Sequence, residues 1–137
     1  MTKRMTPQEI FEHSDFVKDG DVPWKDFYAM VHGLLTETNE WRMLRINNSL
    51  FLYNIIEEGN VAVTIIDADT TKQFPKNLKE ALNAFSKAKI HELIFNVQGR
   101  AFQQLLNQLG CKVTDKVLYK TPQGFPTYEV RAEYGLV

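Results

Sequence analysis

The stretch Phe102–Val113, FQQLLNQLGCKV, changes rhythm within twelve residues. Phe102, Leu105, Leu106 and Leu109 fall at i, i+3, i+4 and i+7, the spacing of one buried helix face. Gly110 follows at once. It is placed to end the helix with a left-handed backbone, which glycine adopts without steric cost. Cys111 then opens a strand. Just upstream, HELIFNV (residues 91–97) reads as another short strand. Strand, helix, glycine stop and strand imply a crossover, and crossovers to a parallel neighbour are right-handed.

The same logic extends toward the N-terminus. EWRMLRI, SLFLYNII and NVAVTIID are short runs rich in β-branched and aromatic residues, separated by NNS and EEGN. They predict a three-stranded antiparallel meander. NVAVTIID is apolar at nearly every position, which suits a strand covered on both faces. A helix is expected next from about Asn77. Asn77 and Glu80 have capping-box spacing, and Leu78, Ala81, Leu82 and Phe85 supply its buried face.

Two helices precede the meander. In MTPQEIFEH, Thr6 can cap, Pro7 suits the first helical position and Glu9 can close a capping box. KDGD at 18–21 breaks this helix. A second runs from about Pro23 to Asn39, with Phe27, Met30, Val31, Leu34 and Leu35 as its apolar stripe and Gly33 within it. At the other end, CKVTDKVLYK and PTYEVRAEY form two strands around TPQGF. The expected fold is α+β, a mixed, mostly antiparallel sheet flanked by helices. It forms a single domain over 1–137, with two leading helices in 6–39 and the sheet and crossover helices in 41–134.

Composition narrows the function classes. A chain of 137 residues suits one core, and 44% hydrophobic with 24% charged residues is an ordinary globular balance. No apolar run approaches the ~20 residues of a membrane helix. The polar start lacks the apolar centre of a signal peptide, so a cytoplasmic location is expected. Cys111 is alone, which excludes an internal disulfide and a cysteine-based zinc site. It reads as a small buried residue rather than a nucleophile. His13, His32 and His91 show no metal-ligand spacing, so no metal is expected. Charge is uneven. Residues 1–71 carry 12 acids and 6 bases, whereas residues 72–120 carry 3 acids and 9 bases. The basic half can draw an anionic ligand or partner.

From about Trp41 to Tyr134 the order of elements resembles the GCN5-related N-acetyltransferase (GNAT) superfamily. HELIFNVQGRAFQQLLNQLGCKV is similar to that family's penultimate strand, helix and glycine-ended return. The resemblance implies acetyl-CoA between two splayed central strands, here NVAVTIID and HELIFNV. It also implies a pyrophosphate on backbone N–H groups at the start of the next helix, where free donors and the helix dipole favour an anion. The family writes that loop with glycine or small residues. The corresponding residues 67–80, DADTTKQFPKNLKE, contain no glycine, and Pro75 removes a donor. Lys72, Lys76 and Lys79 can still attract phosphates. Four residues before the helix-ending glycine the family commonly places a tyrosine acid, and this chain has Leu106. Gly99 stands where many members carry a cofactor-contacting asparagine. A second resemblance, to internal virion proteins of short-tailed phages, rests on size, on the acidic DAD after the central strand and on the ending TPQGFPTYEV.

Three functions follow as expectations. In the first, the domain is catalytically degenerate and acts through a protein partner, with no cofactor, as an accessory or virion protein. In the second, it is an atypical acyltransferase. Acetyl-CoA would then be held by Thr70, Thr71, Lys72, Gln73, Phe74, Lys76 and Gly99, with Asp67 as base and Tyr119 or Tyr128 as acid. In the third, Lys87, Lys89, Arg100, Lys112, Lys116 and Lys120 face a nucleic acid.

Overall fold

A computed structural model describes residues 4–14, 29, 31–33, 35–36, 40–98, 100–120, 122 and 126–134. Helix α1 (Pro7–His13) opens with the capping box expected of its sequence. Thr6 Oγ1 accepts from the Glu9 N–H, and Glu9 Oε1 accepts from the Thr6 N–H, each at 3.2 Å. Of the second expected helix, Ala29, Val31 to Gly33, Leu35 and Thr36 are helical. The remainder of that stretch, including Trp24 and Asn39, lies outside the described residues.

Strands β1 (Trp41–Ile46), β2 (Ser49–Glu57) and β3 (Asn60–Asp67) form the meander at the expected places. Helix α2 (Phe74–Lys87), strand β4 (Glu92–Gln98), helix α3 (Ala101–Gln108) and strands β5 (Lys112–Lys120) and β6 (Pro126–Glu133) follow. The sheet has six strands in the order β1-β2-β3-β4-β6-β5. β1–β2, β4–β6 and β5–β6 are antiparallel, and β3–β4 is parallel. The α+β class and the mixed, mostly antiparallel sheet stand as expected. The β3–β4 ladder covers Asn60↔Glu92 to Ala62↔Ile94, although β3 runs on to Asp67 and β4 to Gln98.

Two expectations need correction. β3 is not covered uniformly on both faces. Val61, Val63 and Ile66 are buried while Thr64 is exposed, so its apolar run includes half-covered positions. Helix α2 starts at Phe74, three residues before Asn77, because the backbone N–H groups of Gln73 and Phe74 are both held by Thr70. Pro75 falls in the first turn, where its missing N–H costs nothing. Asn77 is therefore inside the helix and fully buried.

The chain groups into two compact units, residues 1–54 with 65–81, and residues 55–64 with 82–137. In the first unit Ile10, Phe11, Val31, Leu50, Leu52 and Ile66 make one apolar cluster, with Met5, Leu35, Trp41 and Ala68 packed against it. In the second, the buried residues include Leu93 and Phe95 on β4, Leu106 on α3, and Val130 and Ala132 on β6. Phe95 meets Phe102 of α3 edge-on, with ring centroids 4.9 Å apart. Gly110 has φ +95°, the left-handed stop expected of it, and Leu106 is completely buried. Cys111 is buried as expected. No helix among the described residues is long and apolar enough to cross a membrane.

Candidate functional site

The first unit gathers its polar side chains where the β1–β2 turn, the end of β3 and the start of α2 meet. The turn is Asn47–Asn48, between the paired Ile46 and Ser49. Asn47 has φ +51°, a conformation asparagine tolerates better than most residues. The Asn48 N–H donates to Asp69 Oδ2 at 2.9 Å, and Asn48 Nδ2 donates to Asp69 Oδ1 at 3.2 Å. The Asn48 carbonyl accepts from the Ala68 N–H at 3.0 Å. Asn48 Oδ1 accepts from the Met5 N–H at 2.9 Å. Arg45 completes this side by donating to the Met5 carbonyl and, at 3.4 Å, to Asn48 Oδ1. Burial, then the charge of Arg4, lower the Arg45 pKa, and Asp69 opposes them.

Asp67 Oδ1 accepts from the Ser49 hydroxyl at 2.6 Å and from the Asp69 N–H at 3.1 Å. The second bond is the local turn that an aspartate makes with the backbone two residues on. Asn77 Nδ2 donates to Asp69 Oδ2 at 2.6 Å and to Ser49 Oγ at 2.9 Å. Asn77 Oδ1 accepts from Asn47 Nδ2 and Gln73 Nε2 at 2.7 and 2.8 Å. Asn77 looked like a helix cap in the sequence. It is instead the centre of a tertiary network, which its polarity at a helical core position was the only signal to suggest.

This network bears on the loop that the resemblance assigned to a pyrophosphate. The N–H groups of Ala68, Asp69, Gln73 and Phe74 are all bonded internally. Asp69 accepts three hydrogen bonds close to the start of α2. No glycine brings the backbone forward. Those four N–H groups are therefore engaged within the loop itself. Thr70, Thr71, Lys72 and Lys76 are exposed, and Gln73 and Phe74 are half-buried. Gly99 lies outside the described residues.

The remaining candidates belong to the second unit. Tyr128 is 8% exposed and Tyr119 61%. Register separates them: Tyr128 is opposite Val97 and Val117, whereas Tyr119 is opposite Thr127, which lies on the other face of β6. The two tyrosines thus occupy opposite faces of the sheet, and an irregularity between Val117 and Tyr119 sets this phase. Arg100 lies 5.2 Å from the centroid of the Tyr128 ring. Its pKa is raised by a hydrogen bond with Tyr128, then by the charges of Tyr128 and Asp115.

The proposed basic face divides as well. Lys112 and Lys116 alternate onto one face of β5, where Lys116 meets Glu129 at 3.2 Å, while Arg100 sits at the Tyr128 face. Arg131 bridges Glu92 at 2.9 Å and Glu129 at 3.6 Å on the Lys116 side. Among the described residues no three His, Cys, Asp or Glu side chains converge as a metal site.

No protein-family model matches the chain, and no curated protein matches it by sequence. Solved structures do match. The ribosomal-protein-S18-alanine N-acetyltransferase of Escherichia coli superposes with a TM-score of 0.62 at 10% identity, over 98% of this chain and 94% of that one. A spermidine N-acetyltransferase chimera from Vibrio cholerae and hSSAT gives 0.65 at 12% identity, over 97% and 95%. A Bacillus subtilis acetyltransferase in complex with CoA gives 0.57 at 11%, over 98% and 96%. The chain shares the fold of these N-acetyltransferases.

Proposed function

We propose that this chain is an acetyltransferase-fold domain that lacks the family's cofactor grip and acts by binding another protein, as an accessory or virion component. One observation carries the reading. The loop between β3 and α2 closes the N–H groups of Ala68, Asp69, Gln73 and Phe74 and both of its carboxylates into an internal network, which commits them to the fold. Leu106, at the position of the common tyrosine acid, is a core residue and cannot donate a proton. Val117, Leu118 and Tyr119 are exposed on β5, an edge strand, which suits contact with a protein. Calorimetric titration with acetyl-CoA tests the reading. No saturable heat is expected, and micromolar binding overturns it.

The acyltransferase reading has its own support in the fold and in a neighbour solved with CoA. The exposed Lys72 and Lys76 would attract the phosphates electrostatically, with an affinity that falls as salt rises. Asp67 would be the base. Because Tyr119 and Tyr128 lie on opposite faces, only one of them can be the acid. Asp67→Asn should then abolish acetyl transfer to a polyamine or peptide amine. Full activity in that variant removes the assignment.

A further inference from the structure

Helix α3 begins in an unusual way for a helix seated on a sheet. Its N-cap is Arg100, which supplies no side-chain hydrogen bond to the first turn. The opening N–H groups of a helix have no partners within it, so at α3 they face outward with a partial positive charge. Gln103, in that first turn, is 8% exposed, yet its side-chain Nε2 has no hydrogen-bond partner among the described residues. Buried side-chain amides are normally satisfied. Helical side chains lean toward the N-terminus of their helix. A side chain at position 103 thus leans toward the end where the first-turn N–H groups are.

Register gives the surroundings. Phe102 packs on Phe95, which is opposite Val130, and Tyr128 follows on the same face two residues earlier along β6. Arg100 lies at that tyrosine. An exposed guanidinium, a set of backbone donors and a buried orphan donor thus all belong to the first turn of one helix.

We propose that the N-terminus of α3 is an anion site, which takes a carboxylate or phosphate group between Arg100, the first-turn N–H groups and the Gln103 amide. The three kinds of donor have distinct tasks. Arg100 attracts the anion at the surface and can bind it through two parallel hydrogen bonds. The N–H groups and the helix dipole hold it in place. The Gln103 amide gains an acceptor that the described residues do not supply. Asp115, exposed on the same face opposite Val130, is the nearby charge that opposes an anion. This site is separate from the β3–α2 loop and does not rest on either functional reading.

The test is an NMR titration of the full chain with sodium acetate and, separately, sodium phosphate, each at fixed ionic strength. Saturable shifts are expected in the backbone amides of Ala101 to Gln103 and in the Gln103 side-chain NH₂. The anion that saturates at the lower concentration identifies the ligand class. Arg100→Ala should weaken binding at least tenfold, and this exposed change leaves the fold intact. Gln103→Leu should also abolish saturation. Asp115→Asn should tighten binding about threefold, the scale of one exposed charge pair. Shifts that never saturate overturn the proposal, and so does binding that survives both Arg100→Ala and Gln103→Leu.

Discussion

Two polar regions of this molecule solve the same physical problem differently. Around Asn48, Asp69 and Asn77, buried polar groups are paired with one another across a turn, a strand end and a helix start. At the start of α3, a buried amide has, among the described residues, no acceptor, and the N-cap side chain makes no bond to the helix end. A closed network commits the groups it pairs to the fold. An open set of donors costs stability and can bind. The resemblance to the acetyltransferases implies that the loop after the central strand is the open region. Here that loop is the closed one.

The largest expected effect of breaking this contrast is at Asp69. Asp69→Ala removes the carboxylate that accepts from the Asn48 N–H, Asn48 Nδ2 and Asn77 Nδ2. Both asparagines are almost fully buried. A loss of about 4 kcal/mol is expected, since stranding buried donors is worse than never having made the bonds. Urea denaturation reads it as a lower midpoint with an unchanged slope. An effect under about 1 kcal/mol would mean that the network is a solvated surface feature, whatever its geometry.

Leu106→Ala comes next, at about 3 kcal/mol, from lost burial and the cavity left behind. This variant separates the two regions, because it unsettles α3 through packing and leaves the polar network alone. If Leu106 marked a vacated catalytic position rather than a core position, truncating it would be nearly neutral. Thr70→Val is smaller, at about 1 kcal/mol, the usual worth of a hydroxyl that caps a helix start. The same variant takes from the Gln73 N–H one of its two acceptors and leaves it the Thr70 carbonyl. A gain in acetyl-CoA affinity in Thr70→Val would show that internal capping was what excluded the cofactor.

How far the sequence revealed this contrast depends on the range of the forces involved. Local rules were legible. The Thr6–Glu9 box, the Gly110 stop and the three meander strands all follow from neighbours within a few residues. The missing glycine between Gly59 and Gly99 also pointed to an atypical loop. What was hidden depended on tertiary partners. Asn77 carries the residue type and spacing of a cap, yet its partners, Ser49 and Asp69, lie 28 and 8 residues away in sequence. The irregularity between Val117 and Tyr119 is unmarked by glycine or proline, so nothing in the sequence shows that Tyr119 and Tyr128 end on opposite faces. The Gln103 amide is illegible for another reason. In the sequence it is one polar residue in AFQQLLNQ, and only its burial without a partner distinguishes it from Gln104.

The smallest effect is the most informative, because its sign separates the two regions. Gln103→Leu places an apolar side chain of similar size one turn from Leu106, on the buried face of α3. Removing an unpaired buried amide should raise stability by about 1 kcal/mol. The matching change in the closed network, Asn77→Leu, should do the opposite, because Asn47, Ser49, Asp69 and Gln73 each lose one hydrogen bond. Paired denaturation curves measure both. If Gln103→Leu also destabilises, the amide is satisfied in solution, for instance by a bridging water, and the helix end is as closed as the loop. If it stabilises, the wild-type chain carries a polar group that the fold alone does not require. A residue retained at the expense of stability at a helix N-terminus, beside an arginine, is then best explained by the anion it would meet there.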